Sequence, residues 1–378
     1  MRIVYLANSA WPSLRGAERL MFALAEHARV RGDEVTVIAP GVSAIHAACT
    51  VRGTPCEAAS FRASLGDTAR LRALLREIRP DIVHGMSIFP VAYVRELGLV
   101  PDEDKVAFFA EATIDPTSLL PVSTPGPKRL GLFVRNAISR FEAPKLDAIF
   151  VPSTAVREGL ERVGIRSRVL INSGMIVPEA LAAAAATPFD YPADGFRIGY
   201  AGFLERLKGI DVLIRAFAAI AGDHPEAELF VAGRGGELDS LVELAGSLGV
   251  GERVHMLGFV DPVAAFTGGL DLFVSASRSE SLGRSVLEAM ALGVPVVSTI
   301  SGGQADYITH EKTGLAVAPD DVEGLASAIQ RMIEDDALRG SLAAAGKAVA
   351  TAAPFLESAA VETVFATYAA TLDARENG

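Results

Sequence analysis

The sequence is poor in the residues that build covalent or metal frameworks. It has two cysteines, Cys49 and Cys56, in 378 residues. That is too few for a disulfide scaffold or a cysteine-rich zinc centre, and the plain reading is two reduced thiols in a cytosolic protein. Aromatic residues make up only 7% of the chain, which suits helices packed tightly on buried strands better than an all-β sandwich. Basic charge is also short. Lys and Arg number 35 against 46 Asp and Glu, a net charge of −11. Proteins that grip nucleic acid through its phosphates carry the opposite excess, so nucleic acid is not expected as the main partner. No apolar run approaches the ~18 residues of a membrane span. The N-terminal "MRIVYLA" runs straight into a strand-like segment, without the charged, apolar and cleavage regions of a signal peptide. The expectation is a cytoplasmic protein, with peripheral contact at the inner face of a membrane left open.

What is abundant is apolar material. Half of the residues are hydrophobic and 21% are charged, which excludes an apolar-poor, disordered chain. The length fits two domains of ordinary size. Short apolar runs alternate with helical patterns from the start. Arg2–Ala7 and Glu34–Ala39 read as strands around a helix at Ala17–Arg31, and short strands follow near 81–84, 106–110 and 148–151. A second series starts at Phe196, with strands near 197–201, 228–232, 253–257, 272–275 and 294–298. Such alternation predicts an α/β fold with doubly wound parallel sheets, helices on both faces and ligands beyond the carboxyl ends of the strands. The expected division is a Rossmann-like domain over 1–178, a linker over 179–195, a second Rossmann-like domain over 196–354, and a C-terminal helix over 355–378 crossing back to the first domain. The two domains are expected to face a cleft.

Three stretches of the second series carry chemistry. In "SASRSESLGRSVLEAMALGVPVVST", residues 275–299, a strand runs into a polar loop, then Gly283, then a helix. Ser281 is a candidate cap for that helix. Its opening N–H groups and the positive end of its dipole suit an anion, and Gly283 lets backbone approach a ligand closely. Glu280 and Glu288 stand in the loop and inside the helix, where carboxylates can accept hydrogen bonds from a ligand bearing hydroxyls. The alternative is a capped surface helix with two solvated glutamates. In "YAGFLERLKGIDVLIRAF", residues 200–217, Lys208 and Arg206 stand before a helix and could meet a phosphate, or simply form a solvated basic loop. In "ISGGQADYI", Gly302 and Gly303 offer backbone N–H groups and Asp306 an acceptor; the alternative is an ordinary tight turn.

Taken together and in order, these segments resemble the GT-B nucleotide-sugar glycosyltransferases, specifically the large retaining family four. Glu280 followed by "SLGRSVLEAMALGVPVVST" matches the E-x7-E signature of that family, and "AGFLERLKGIDVLIRAF" is similar to its "GR-x4-KG" segment. "RGAERLMFALAEHARVRGDEVTVIAP", "PDIVHGMS", "DAIFVPSTAVREGL" and "GGQADYITHEKTGLAVAPDD" fall in the usual order. The resemblance implies that Glu280 contacts the donor sugar and Glu288 the ribose hydroxyls. It implies that the backbone of Leu282, Gly283 and Arg284 holds the diphosphate, and that Lys208 neutralises the departing phosphate. Gly16 would lie near the diphosphate and acceptor, and Phe259 would frame the base.

The chain departs from the family pattern at identifiable places. Phe203 stands where an arginine is usual, which makes Arg206 the candidate for the missing charge. Gly16 is preceded by Arg15 instead of a second glycine, and Ala305–Asp306 replaces the usual Pro-Glu. The segment "VAFFAEATID" offers Glu111 and Asp115 but no histidine. His84, at a strand end, and Glu111 are therefore the candidates on the acceptor or sugar side, His84 having a structural reading as well. Residues 126–145 interleave Lys128, Arg129, Arg135, Arg140 and Lys145 with Leu130, Leu132, Phe133, Ile138 and Phe141. This is either a membrane-facing surface or a helix packed on the core with a basic outer face.

The resemblance implies a retaining transferase that needs no bound cofactor or metal, takes a nucleoside-diphosphate sugar as donor, and delivers the sugar to a carbohydrate or lipid-linked hydroxyl. Another nucleotide-sugar enzyme of the same fold, such as an epimerase or phosphorylase, or a non-catalytic nucleotide-sugar binder, is the alternative.

Overall fold

The computed structural model describes residues 1–7, 16–41, 43–59, 65–112, 141, 143–165 and 168–377. The chain forms two units. Met1–Met175 together with Glu357–Gly378 make the first, and Ile176–Leu356 the second.

The first unit is built on a seven-stranded parallel sheet. In chain order its strands are β1 (Arg2–Leu6), β2 (Glu34–Ala39), β3 (Cys56–Ala58), β4 (Ile82–Gly85), β5 (Ala107–Glu111), β6 (Ala148–Val151) and β7 (Val169–Ile171), and their order across the sheet is β3-β2-β1-β4-β5-β6-β7. Alternation along β1 shows why these runs are almost wholly apolar. Ile3 and Tyr5 enter one core with the helices Gly16–Val30 and Glu357–Glu376, while Val4 and Leu6 enter the opposite core with Leu71, Val91 and Leu160. A parallel sheet covered on both faces leaves no side of the strand for polar residues. The C-terminal helix supplies Val361, Val364, Phe365 and Tyr368 to the first of these cores. Its last turn is fastened by Arg375, which pairs with Asp147 at 2.8 Å.

The second unit repeats the plan with six parallel strands: β8 (Phe196–Ala201), β9 (Ala227–Ala232), β10 (Val254–Gly258), β11 (Leu272–Ser275), β12 (Val296–Thr299) and β13 (Leu315–Val317), ordered β10-β9-β8-β11-β12-β13. One face carries the helices Ile210–Ile220, Leu238–Ser247 and Val322–Glu334 over Ile198, Leu229, Val274 and Val297. The other carries Pro178–Ala185, Val263–Gly268 and Arg284–Leu292, which pack on one another. The stretch 179–195, read from sequence as a linker, thus contains most of a helix and belongs to the second unit. The unit begins and ends at one place. Ile176 bridges Leu356, and its N–H donates to the Phe355 carbonyl at 2.9 Å.

Cys49 and Cys56 are free thiols. Among the described residues no helix is long and apolar enough to cross a membrane, and no cluster of three or more His, Cys, Asp or Glu side chains is placed to hold a metal ion.

Candidate functional site

The strands of the second sheet run parallel, so their carboxyl ends share one edge, and the loops leaving that edge are stitched together by main-chain hydrogen bonds. Gly202 N–H donates to Ala232, Leu204 N–H to Arg234, and Gly233 N–H to Gly258, which joins the loops after β8, β9 and β10. Arg278 N–H donates to Leu207, joining the loop after β11 to that after β8. Gly303 N–H donates to Glu280 at 3.2 Å, and Glu280 forms a parallel bridge with Gly302, joining the loops after β11 and β12. Residues from about 20 to about 70 positions apart in sequence are held side by side by backbone alone.

Within this edge Lys208 Nζ lies 2.6 Å from Glu280 Oε2, with both side chains about one-fifth exposed. Lys208 closes a single 3-10 turn, Arg206–Lys208, just ahead of the helix Ile210–Ile220. An ammonium has three donors. Lys208 can keep one on Glu280 and turn the others to an anion.

Gly283 stands directly before the helix Arg284–Leu292 with φ 84°, a left-handed conformation that glycine alone takes at little cost. The sequence suggested Ser281 as the cap; the structure gives that position to Gly283, and Ser281 lies in the preceding loop. The first N–H groups of a helix have no carbonyl one turn back, so this end presents unsatisfied donors and a positive dipole. The turn is braced from behind. Tyr307 donates its hydroxyl to the carbonyls of Leu282 (2.8 Å) and Gly283 (3.0 Å). Burial pushes the Tyr307 phenol well above its ordinary value, so it stays a neutral donor. Gln304 is fully buried beside the same turn, its Nε2 3.4 Å from Ser301 Oγ and its Oε1 unpaired.

Glu288 is not turned out to bulk water. Its Oε1 accepts from Arg284 Nε at 2.8 Å, one turn away on the same helix, and its side chain is 16% exposed. A Cβ at Gly302 would run into the Glu280 carbonyl oxygen, so that position admits no larger residue without moving the loop.

A second group of residues lines the β8–β10 side of the edge. Phe203 and Phe259 are exposed, and the Arg234 guanidinium lies over the Phe259 ring at 4.2 Å. Tyr200 donates its hydroxyl to the Phe203 carbonyl at 3.1 Å, which fixes that turn. Arg206 and Asp306 have exposed side chains on the loops after β8 and β12.

The remaining candidates belong to the first unit. Gly16 opens the helix Gly16–Val30. His84 and Glu111 meet in the core. His84 Nε2 lies 3.4 Å from Glu111 Oε1, and neither atom makes a hydrogen bond among the described residues. His84 Nδ1 is 2.5 Å from the Tyr368 hydroxyl, and its ring stacks on Phe150 at 5.6 Å. His84 has no exposed surface and lies under the C-terminal helix through its contact with Tyr368. Asp115 and most of the 126–145 segment lie outside the described residues. Of that segment, Phe141 is exposed, with Lys145 Nζ over its ring at 4.4 Å.

The structure therefore brings Lys208, Glu280, Leu282, Gly283, Arg284, Glu288, Gly302 and Gly303 onto one edge. It also shows supports that sequence reading passed over: Tyr307, inside the quoted "GGQADYI", and Asp211, Arg234 and Arg278. The pairing of Arg278 with Asp211 joins residues 67 positions apart, so no local pattern announces it. Chemically, the edge offers one ammonium, a row of main-chain donors at a helix start, and carboxylates that accept hydroxyl hydrogens. That set fits an anion carrying a polyhydroxylated group.

The two sheets, their strand orders and their helical covers define the GT-B architecture of two Rossmann-like domains. Over 98% of this chain and all of the other, the fold superposes with TM-score 0.78 on the Anabaena protein Alr3699/HepE, solved in complex with UDP, at 20% sequence identity. It superposes equally well on a sucrose-phosphate synthase from Thermosynechococcus elongatus (TM-score 0.78, 19% identity, covering 99% of this chain and all of that one). Residues 189–349 match the family described as Glycosyl transferases group 1, and residues 14–173 match Glycosyltransferase Family 4. Together these two matches take in most of the sequence, each half of the chain matching a glycosyltransferase family. Among curated relatives, the lipopolysaccharide core biosynthesis glycosyltransferase LpsE of Rhizobium meliloti (strain 1021) is 35% identical over 201 residues, 53% of this chain and 58% of the relative. A D-inositol 3-phosphate glycosyltransferase of Corynebacterium jeikeium (strain K411) is 36% identical over 180 residues, 45% of this chain and 42% of the relative. The chain thus spans about half the length of these relatives.

Proposed function

We propose that this protein transfers a sugar, with retention of anomeric configuration, from a nucleoside-diphosphate sugar to an acceptor hydroxyl in polysaccharide, lipopolysaccharide or glycolipid synthesis. The observation that carries the reading is the Lys208–Glu280 pair set beside the amino end of the Arg284–Leu292 helix. Breaking the glycosidic bond leaves negative charge on the diphosphate and positive charge on the sugar. Fixed donors at the helix start and the Lys208 ammonium lower the cost of the first without reorganising. Glu280 orients the sugar, and Glu288 accepts from the ribose hydroxyls. The departing phosphate oxygen can take the acceptor's proton on the same face, so no separate base is required; retention and this front-face course rest on family likeness. A nucleotide donor is supported by the UDP, and UDP-glucose, bound in structures of the Anabaena protein. A lipid-linked or carbohydrate acceptor is supported by the lipopolysaccharide relative.

The test is a mass-spectrometric screen of donor hydrolysis and transfer across UDP-, GDP- and ADP-sugars, alongside calorimetric titration of the same compounds. Turnover of at least one donor with the anomeric configuration kept is the expected result. Saturable binding with neither hydrolysis nor transfer, under every acceptor supplied, would mark a nucleotide-sugar binder and overturn the proposal.

A further inference from the structure

We propose that Arg278 is the positioning residue for Lys208. The inference rests on the reading of Lys208 as the cation that meets the donor diphosphate. Lys208 sits on a one-turn element, Arg206–Lys208, with no ladder of its own to hold it in place. Its neighbours on both sides are gripped by a single residue from another loop. On the amino side, Arg278 Nη1 donates to the Arg206 carbonyl at 2.7 Å, and Arg278 N–H donates to the Leu207 carbonyl at 2.8 Å. On the carboxyl side, Arg278 Nη1 and Nη2 donate to the two oxygens of Asp211 at 2.9 and 2.8 Å. Its Nε donates to Asp320 at 2.6 Å. Lys208 lies between the two gripped points, and Glu280 follows Arg278 by two residues. The Lys208–Glu280 separation of 2.6 Å thus spans two loops, and Arg278 sets the distance between them.

The chemistry of the contact asks for a guanidinium. One planar fork serves a carboxylate on two prongs, a carbonyl beside it and a second carboxylate at Nε; an ammonium carries its donors at a single point and cannot reach all four. Both partners register the contact. The hydrogen bond to Asp211 raises the Arg278 pKa against the opposing effect of burial, with Asp320 adding to it. Burial would raise the Asp211 carboxyl, but Arg278 and the N–H groups of Asp211 and Val212 hold it below its ordinary value. The arms are unequal. Asp320 is 60% exposed, Asp211 39% and Arg278 21%, so water screens the Asp320 arm most.

The experiment measures UDP, GDP and ADP binding by calorimetry to the full chain, follows whichever binds tightest, and records thermal unfolding of every variant. Arg278→Ala and Arg278→Lys are each expected to weaken the diphosphate about tenfold, by displacing one charge-assisted contact, and Asp320→Asn by less than twofold. In a Lys208→Ala background, Arg278→Ala is expected to cause no further loss, because Arg278 acts through Lys208. Equal weakening in both backgrounds, or a folded Arg278→Ala with unchanged affinity, overturns the proposal while leaving the function of the site standing. Should Arg278→Ala fail to fold, Arg278→Lys and Asp211→Asn carry the same comparison. A parent protein that binds none of the three nucleotides would remove the diphosphate reading itself, and this inference with it.

Discussion

Lys208 and Tyr307 act on the same few atoms in different ways, and substitutions separate them. Lys208 contributes charge at the surface of the site; Tyr307 contributes two hydrogen bonds from beneath the turn at Gly283. Lys208→Ala is expected to cut transfer by about 10²–10³-fold, the scale of losing one preorganised electrostatic contact, while circular dichroism and melting stay near parental. Unchanged turnover would remove Lys208 from the reaction. Tyr307→Phe takes the hydroxyl from the buried Leu282 carbonyl, while the Gly283 carbonyl keeps the N–H groups of Val286 and Leu287; it is expected to lower the stability of the second unit by about 1–2 kcal/mol, read as a drop in the urea midpoint. At this scale the sequence was informative where function is written in spacing. Glu280, Glu288, Gly283 and Lys208 stand in short ordered motifs. It was silent where function depends on a partner far along the chain. "SRSE" gives no hint that Arg278 reaches Asp211, and a histidine at the end of β4 does not reveal that Tyr368, 284 residues later, lies over it.

Among elements, the junction of the loops after β11 and β12 is the tightest part of the site. Gly302→Ala would place a methyl against the Glu280 carbonyl. It is expected to cost about 1–3 kcal/mol, as overpacking does, and to weaken nucleotide binding by displacing Glu280. Gly340→Ala is the matched contrast. Gly340 lies in the exposed part of the helix Asp336–Ala350 with nothing within 4 Å of its would-be Cβ, so alanine is expected to stabilise by about 0.5–1 kcal/mol. Denaturant midpoints of the two variants should move in opposite directions, and movement in the same direction would refute the packing account. The strands were legible because strands buried on both faces read as unbroken apolar runs. Alanine-rich helices were harder. "EALAAAAA" shows little contrast between faces, so periodicity is weak, and the stretch read as a linker. Yet alanine is the strongest helix former, and Pro178 occupies the first turn, where proline is tolerated.

For the whole molecule, the lowered carboxyls predict the response to acid. Asp81 accepts from Arg2 N and Nη2, each at 2.7 Å. Burial would raise its pKa, but these bonds and the Arg2 charge outweigh that and hold it below the ordinary value. Asp211 is held low in the same sense. Near the ordinary carboxylate range the unfolded chain therefore binds more protons than the folded one. The stability these groups lend is complete above that range and is lost as pH falls through their lowered folded values. Urea midpoints are expected to be flat with respect to these two groups down to about pH 5 and to fall below about pH 4. Asp81→Asn should flatten part of that fall; an identical acid slope would sink the assignment. Removing residues 357–378 would strip Val361, Val364, Phe365 and Tyr368 from the first core. At about 1.5–3 kcal/mol for each buried side chain, that is comparable with the entire stability of a domain.

The bridge between Ile176 and Leu356 has a consequence for how the protein is made. A ribosome delivers every residue of the second unit while the first still lacks its closing helix. The later half can settle first, since its two ends meet by themselves. The earlier half must wait in the exit channel's vicinity with Tyr5 and His84 uncovered until residues 357–378 emerge. Nascent chains stalled between those two moments should therefore show a protease-resistant later half beside a protease-sensitive earlier one, the reverse of the usual amino-to-carboxyl order of maturation.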